Sequence, residues 1–213
     1  MSVIWTSYAN RAEWLQHREG IGASEAGSVC GTGFKTPIQL WREKLSNDAP
    51  PDLSGDARVQ FGNDVEEPLR ALFCVMHPEY ELDFEPYTIL RRDDHHQFMF
   101  YTPDGVLVEK SSGRVGLYES KSATLIKASD WEKWRDRVPD GYFCQILHGM
   151  AVGGFDFAVV FAILLNMDGD ATVRAYCFER ADVEQDLVWL LDKETEFWRH
   201  CEDGTIPAMP LTL

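Results

Sequence analysis

Thr102-Pro103-Asp104-Gly105, followed at 115–121 by Val115-Gly116-Leu117-Tyr118-Glu119-Ser120-Lys121, is the stretch on which the reading of this chain turns. Pro-Asp-Gly is turn chemistry, and the segments beside it are rich in strand-forming residues. Asp104 and Glu119 thus fall at strand or hairpin boundaries of one meander. If that hairpin pairs, the two carboxylates converge, joined by the backbone carbonyl of Ser120. Oxygen donors of this kind suit Mg2+, which keeps several waters and binds phosphate oxygens. Glu119 and Lys121 stand at i and i+2 on a strand and share one face. An ammonium there can orient or help deprotonate an attacking water, or offset charge on a phosphate. Each piece also has an ordinary reading. Asp104 can simply support a turn, and a strand Glu-x-Lys is commonly a solvated pair.

Upstream, the pattern predicts a short helix over 8–17, a helix from Ser24 as N-cap to about Val29, and another begun by Thr36-Pro37. Residues 47–56 (NDAPPDLSGD) read as a loop. Residues 57–76 form an amphipathic helix with Val65, Leu69, Leu72, Phe73 and Met76 as its stripe. Pro68 inside it predicts a kink or two helical pieces. Residues 80–90, 97–101, 105–109 and 115–120 read as an antiparallel meander. Helices follow at 127–136 and 142–152, separated by a break at Pro139-Asp140-Gly141. A hairpin of 157–165 and 173–178 turns around Asp168-Gly169-Asp170, and a long helix closes the chain over 181–201. The expected class is α/β (α+β), with one central mixed sheet flanked by helices and one domain over 1–213.

Composition narrows the class further. Hydrophobic residues make up 45% and aromatics 12%, which argues against disorder. No apolar run is long enough to span a bilayer, and the N-terminus lacks the basic and apolar regions of a signal peptide, so a cytoplasmic protein with no membrane partner is expected. The five cysteines are Cys30, Cys74, Cys144, Cys177 and Cys201. No two make a CxxC or CxH pair, which argues against zinc ribbons and iron–sulfur clusters and fits a reducing compartment. His95-His96 beside Asp93-Asp94 has metal-ligand composition but sits at an expected hairpin tip. It is read as a solvated turn, with a supporting acid role open for Asp94. His148 is read as packing.

The net charge of −15, taken as a whole, repels a polyanion. Its distribution is uneven: residues 1–50 carry five basic and five acidic groups, and 101–150 carry seven of each. The excess acid lies in 51–100 and 151–213. A polyanion site would therefore draw on the first and third quarters, where metal ions also offset charge.

Pro103-Asp104 with Glu119-Ser120-Lys121 resembles the motif of the PD-(D/E)xK nuclease superfamily. The flanks are more specific. The segments 17–26 (HREGIGASEA) and 35–44 (KTPIQLWREK) resemble the N-terminal signature of phage-lambda-type alkaline exonucleases, the viral recombinase nucleases. Residues 62–68 (GNDVEEP) resemble that family's helix bearing a catalytic glutamate, here Glu66, and 141–146 (GYFCQI) its helix bearing a glutamine, here Gln145. The resemblance runs in order from about residue 10 to 165.

It implies a PD-(D/E)xK core and a Mg2+-dependent 5′→3′ exonuclease. Such an enzyme degrades one strand of linear duplex DNA, leaving a 3′ tail for recombination by strand annealing. A PD-(D/E)xK endonuclease of restriction or repair type is the alternative. Two Mg2+ ions are implied, with Mn2+ able to substitute. Asp104, Glu119 and the Ser120 carbonyl would bind metal, Glu66 a second metal or its water, Lys121 would assist the nucleophile, and Gln145 would orient Lys121 or a water. Arg18 and Ser24 would hold the 5′-terminal phosphate, although the loop between them is one residue shorter than in lambda exonuclease. Arg18, Lys35, Arg42 and Lys44 would line a basic channel, and Val59 is the candidate wedge that parts the strands. The implied partners are double-stranded DNA ends, a single-strand annealing protein and two further copies in a trimeric ring. The implied setting is a bacterial or prophage-encoded protein.

Overall fold

Two sheets, rather than one, organise the chain. The computed structural model describes residues 2–46 and 55–208, so the expected loop at 47–56 lies almost wholly outside the described residues. In chain order the elements are β1 (Val3–Ser7), α1 (Arg11–Gln16), β2 (Ile21–Gly22), α2 (Ala23–Val29), α3 (Pro37–Leu45), α4 (Ala57–Met76), β3 (Tyr80–Asp83), β4 (Thr88–Arg92) and β5 (Met99–Tyr101). There follow β6 (Gly105–Glu109), β7 (Val115–Thr124), α5 (Ala128–Lys133), α6 (Asp140–Gly153), β8 (Phe157–Leu165), β9 (Ala171–Glu179) and α7 (Arg180–Asp203).

The larger sheet has the order β3-β6-β7-β8-β9, and the smaller β1-β4-β5-β2. The expected single meander is thus divided. Residues 80–90 do not run as one strand: β3 ends at Asp83, and the chain turns through Tyr87, which has φ 60°. Beyond that turn β4 pairs with β1 and β5 instead of continuing beside β6. β1 is not apparent in the sequence because its strand partner lies more than 80 residues away and four of its five residues are exposed.

β8 is buried along nearly its whole length, as befits a central strand covered on both faces. It runs parallel to β7, with α5 and α6 as the crossover. Leu69 and Phe73 of α4 pack on one face, against Leu107, Tyr118, Phe157, Val159 and Phe161. On the other face Ile146, Leu147 and Met150 of α6 pack with Leu117, Ala158, Val160 and Leu164, and Leu187 and Leu190 of α7 join them. Ile21, Val29, Leu40 and Phe197 form a third cluster that binds α2 and α3 to α7.

Local signals explain the helix ends. Thr36 caps α3 with Pro37 in the first turn, as expected, and Gln39 completes the capping box. Elsewhere the ends shift. α2 begins two residues earlier than expected: Gly22 is its N-cap, Ser24 lies inside the first turn, and the Glu25 carboxylate accepts from the Gly22 N–H at 2.9 Å. Glu25 at N3 thus satisfies the N–H of the capping residue, the half of a capping box that a glycine cap leaves available. α4 is one helix through Pro68, because packing of its apolar stripe outweighs the lost backbone bond. Asp140 and Gly141, expected in a break, form the first turn of α6 after Pro139. No helix among the described residues is long and apolar enough to cross a membrane.

The loop entering β2 depends on Gly20. Its φ is +106°, and an added Cβ would lie 1.9 Å from the Phe98 carbonyl oxygen. That oxygen also accepts from the Ile21 N–H at 2.7 Å, so the backbone cannot simply move away. Gly20→Ala is expected to cost at least about 2 kcal/mol, from strained backbone and displaced contact together, read as a lower urea midpoint.

Candidate active site

β6 begins at Gly105, whereas β7 runs on to Thr124. The β6–β7 pairing therefore reaches no further than Gly105 opposite Tyr118. Beyond that pair, on the β6 side of β7, the sheet has a notch. Continuing the register by one residue sets Asp104 opposite Glu119. The Asp104 carboxylate takes the place of the missing strand: its Oδ2 accepts from the Ser120 N–H at 2.9 Å and from the Ser120 hydroxyl at 2.8 Å. The expected approach of Asp104 to the Glu119-Ser120-Lys121 strand is present.

Glu119 is buried, with 2% of its surface exposed. Its Oε2 accepts from the Tyr101 hydroxyl at 3.0 Å, and its Oε1 from Lys121 Nζ at 2.5 Å and from the Gln145 side-chain amide. Burial, reinforced by the Asp104 charge, pushes its carboxyl up to about 7, although Lys121 and Tyr101 oppose this. Burial works against the Lys121 charge, but Glu119 and Asp104 outweigh it and hold the ammonium above its ordinary range. Tyr101 is wholly buried and held well above the ordinary phenol value by burial and by Glu119, so it remains a donor.

Glu66 reaches the same place from α4. The helix passes close to β7: a Cβ on Gly62 would sit 3.6 Å from Ser122 Oγ. Burial and the Asp104 charge push the Glu66 carboxyl up to about 7. Arg70, one turn later, lies 4.0 Å from Glu66, donates to the Asp104 carbonyl at 3.4 Å, and rests 3.8 Å from the Phe84 ring centre. Glu66, Asp104 and Glu119 thus come from separate elements to the same side of β7, and the Asp104 charge adds to burial in making both glutamates resist ionisation. A divalent cation relieves that repulsion, so the donor set fits a hard metal ion.

The other expected residues lie elsewhere. The Arg18 guanidinium sits 4.3 Å from the Trp14 ring centre and 5.4 Å from that of Phe100, and its Nε is buried with no partner among the described residues. Ser24 is exposed. Lys35 pairs with Glu43 and Lys44 with Glu25, while Arg42 is exposed on α3. Val59 is 36% exposed in the first turn of α4. His148 is packed, as expected, but is also polar-bonded at both ring nitrogens. Asp94, His95 and His96 are a group of three whose ligand atoms lie within 4.8 Å of one another, at the β4–β5 turn. Asp94 is already taken up there: its carboxylate accepts from the Arg92 guanidinium and the His96 N–H, and the arginine holds it well below the ordinary range. The structure adds Tyr101 and Arg70 to the group. Sequence reading passed over both, because a tyrosine ending a strand and an arginine on an amphipathic helix carry no motif.

A family model described as a YqaJ-like viral recombinase domain matches residues 13–156. No curated protein matches the chain by sequence. Among solved structures, the chain is similar to an alkaline exonuclease from Laribacter hongkongensis, with TM-score 0.62 and 15% identity over 91% of this chain and 93% of that one. The same exonuclease in complex with dAMP aligns at TM-score 0.57 and 17% identity, with the same coverage. A phage-related exonuclease from Haemophilus somnus 129PT aligns at TM-score 0.53 and 12% identity, covering 90% of this chain and 99% of that one. These likenesses establish the mixed α/β fold.

The two raised glutamates predict a cost to stability. Glu66 and Glu119 have folded values near 7, above the ordinary 4.5. The stability they contribute is present below 4.5 and lost as pH rises through about 7. Asp104→Asn keeps an oxygen for the Ser120 donors and removes the charge that raises both. It is expected to raise the melting temperature of metal-free protein at pH 8 by ~2–4 °C, the effect of about 1 kcal/mol in a domain of this size. At pH 4.5 the gain should vanish. A gain equal at both pH values would refute the account.

Proposed function

The chain belongs to the family of YqaJ-like viral recombinase domains, and on that premise we propose that it is a divalent-metal-dependent deoxyribonuclease. We assign it as a 5′→3′ exonuclease that degrades one strand of linear duplex DNA and leaves a 3′ single-stranded tail for strand annealing. The observation that supports this reading is Asp104 bonded to the Glu119-Ser120-Lys121 strand, with Lys121 on Glu119 and with the Asp104 charge adding to the burial that pushes the Glu66 and Glu119 carboxyls up to about 7.

Mg2+, as two ions replaceable by Mn2+, would polarise the scissile phosphate and stabilise charge on its attacking and leaving oxygens. Asp104, Glu119 and the Ser120 carbonyl are the proposed ligands, with Glu66 serving a second ion. Lys121 donates to Glu119, the carboxylate that would hold the ion. Lys121 would orient the attacking water and offset phosphate charge, and Gln145, which also donates to Glu119, would orient Lys121 or the water.

Arg18 and Ser24 are assigned to the 5′-terminal phosphate. A guanidinium held against Trp14 and Phe100 is oriented before the anion arrives, and Ser24 offers a hydroxyl in the first turn of α2. Arg42, exposed on α3, is assigned to the DNA backbone; Lys35 and Lys44 would join it by exchanging Glu43 and Glu25 for phosphate, and Val59 would part the strands. We read the whole chain, 1–213, as one nuclease domain. It would act in the bacterial cytoplasm as a trimeric ring on DNA ends, beside a single-strand annealing protein.

The test is linear duplex, with and without 5′-phosphate and labelled at either end, incubated with Mg2+ or EDTA beside a closed circle. Expected are Mg2+-dependent loss of the 5′ label, preference for the phosphorylated end and an intact circle. Cutting of the circle would favour an endonuclease. Asp104→Ala and Lys121→Ala should each slow degradation by ~10²-fold or more. Unchanged activity in Asp104→Ala would remove the site assignment. Because a metal competes with protons for Glu66 and Glu119, metal affinity should rise with pH up to about 7 and level off above it.

A further inference from the structure

β5 has only three residues, yet it serves two parts of the molecule. Phe100 presents its ring to Arg18 at 5.4 Å, and Tyr101 donates its hydroxyl to Glu119. β5 is also pinned from behind. His148 of α6 donates from Nε2 to the Phe100 carbonyl at 2.9 Å, and its Nδ1 faces both carboxylate oxygens of Glu194 on α7, at 2.9 and 3.0 Å. His148 and Glu194 have no exposed surface. Gln145, the other neutral donor to Glu119, lies on α6 one turn before His148.

A wholly buried histidine–carboxylate pair adds little stability that apolar side chains of similar volume would not also provide. What an apolar pair could not supply is a directed bond to the Phe100 carbonyl. That bond sets the height of β5 against α6, and both neutral donors to the Glu119 carboxylate hang from those two elements. We propose that His148, oriented by Glu194, is a positioning residue that holds the Tyr101 and Gln145 donors in place and so fixes the direction of the Glu119 carboxylate toward its cation. The inference rests on Glu119 being a metal ligand, as proposed above. Outer partners of metal ligands commonly affect affinity by 10–100-fold.

The test is Mn2+ affinity of the full chain, measured by electron paramagnetic resonance and counted as the binding that Asp104→Ala abolishes. His148→Leu combined with Glu194→Leu leaves no orphaned charge and should fold, as checked by circular dichroism. Its Mn2+ dissociation constant should rise about tenfold. Glu194→Gln keeps the bond from His148 to Phe100 and should bind close to wild type. A folded double variant with unchanged Mn2+ affinity overturns the proposal. In the wild type, Mg2+ titration followed by imidazole NMR should shift the His148 resonances, and their immobility through saturation also overturns it, whether or not the double variant folds. If Asp104→Ala binds Mn2+ as the wild type does, the metal-site reading itself has failed instead.

Discussion

The burial of one carboxylate governs the arrangement of this protein around its notch. Glu119 is on a central strand, with almost none of its surface in contact with water. A carboxylate cannot stay there without hydrogen-bond donors, since an unpaired buried charge is costly. The neighbouring elements supply them: Tyr101 from β5, Lys121 from β7 itself and Gln145 from α6. Each donor requires its own element to lie at a fixed height, so the demands of Glu119 reach the small sheet and the crossover helix. The early end of the β6 pairing is the complementary constraint. It opens the side of β7 on which Asp104 and Glu66 approach.

The acidity of the chain looks different at this level. Several basic groups of the first quarter are already neutralised locally, Lys35 by Glu43 and Lys44 by Glu25. Arg18 is the contrast: it is held by aromatic rings, and its buried Nε has no partner among the described residues. A cation fixed by π contacts keeps its charge available to an incoming anion. Salt bridges elsewhere join surface elements, as where Arg114 spans Glu109 and Glu179 across the sheet ends.

The division between legible and illegible elements follows the range of the interactions. α3 was readable because Thr36, Pro37 and Gln39 settle its start within four residues. β8, β9 and α7 were readable because an apolar strand, a turn at Asp168-Gly169-Asp170 and a long amphipathic stretch are local patterns. The split of the meander was not, because β4 pairs with β1 and the turn at Tyr87 carries no glycine signature. The start of α2 was also hidden: Ser24 is a good capping residue, but Gly22 takes the cap position and Glu25, three residues on, accepts from its N–H.

The sequence by itself determined the chemistry on offer: an aspartate after a Pro turn, a Glu-x-Lys on a strand, and their order with Glu66 and Gln145 along a mixed α/β chain. Those are matters of residue type and short spacing, which local periodicity and family resemblance can reach. Only the tertiary structure decided that Tyr101 and Gln145 hold Glu119 from two directions, that Arg70 braces Glu66 and Asp104, and that His148 ties β5 to α6 and α7. Those contacts join residues far apart in the chain through burial. Burial is a property of the packed whole, and so is its effect on the two glutamates that sit near 7.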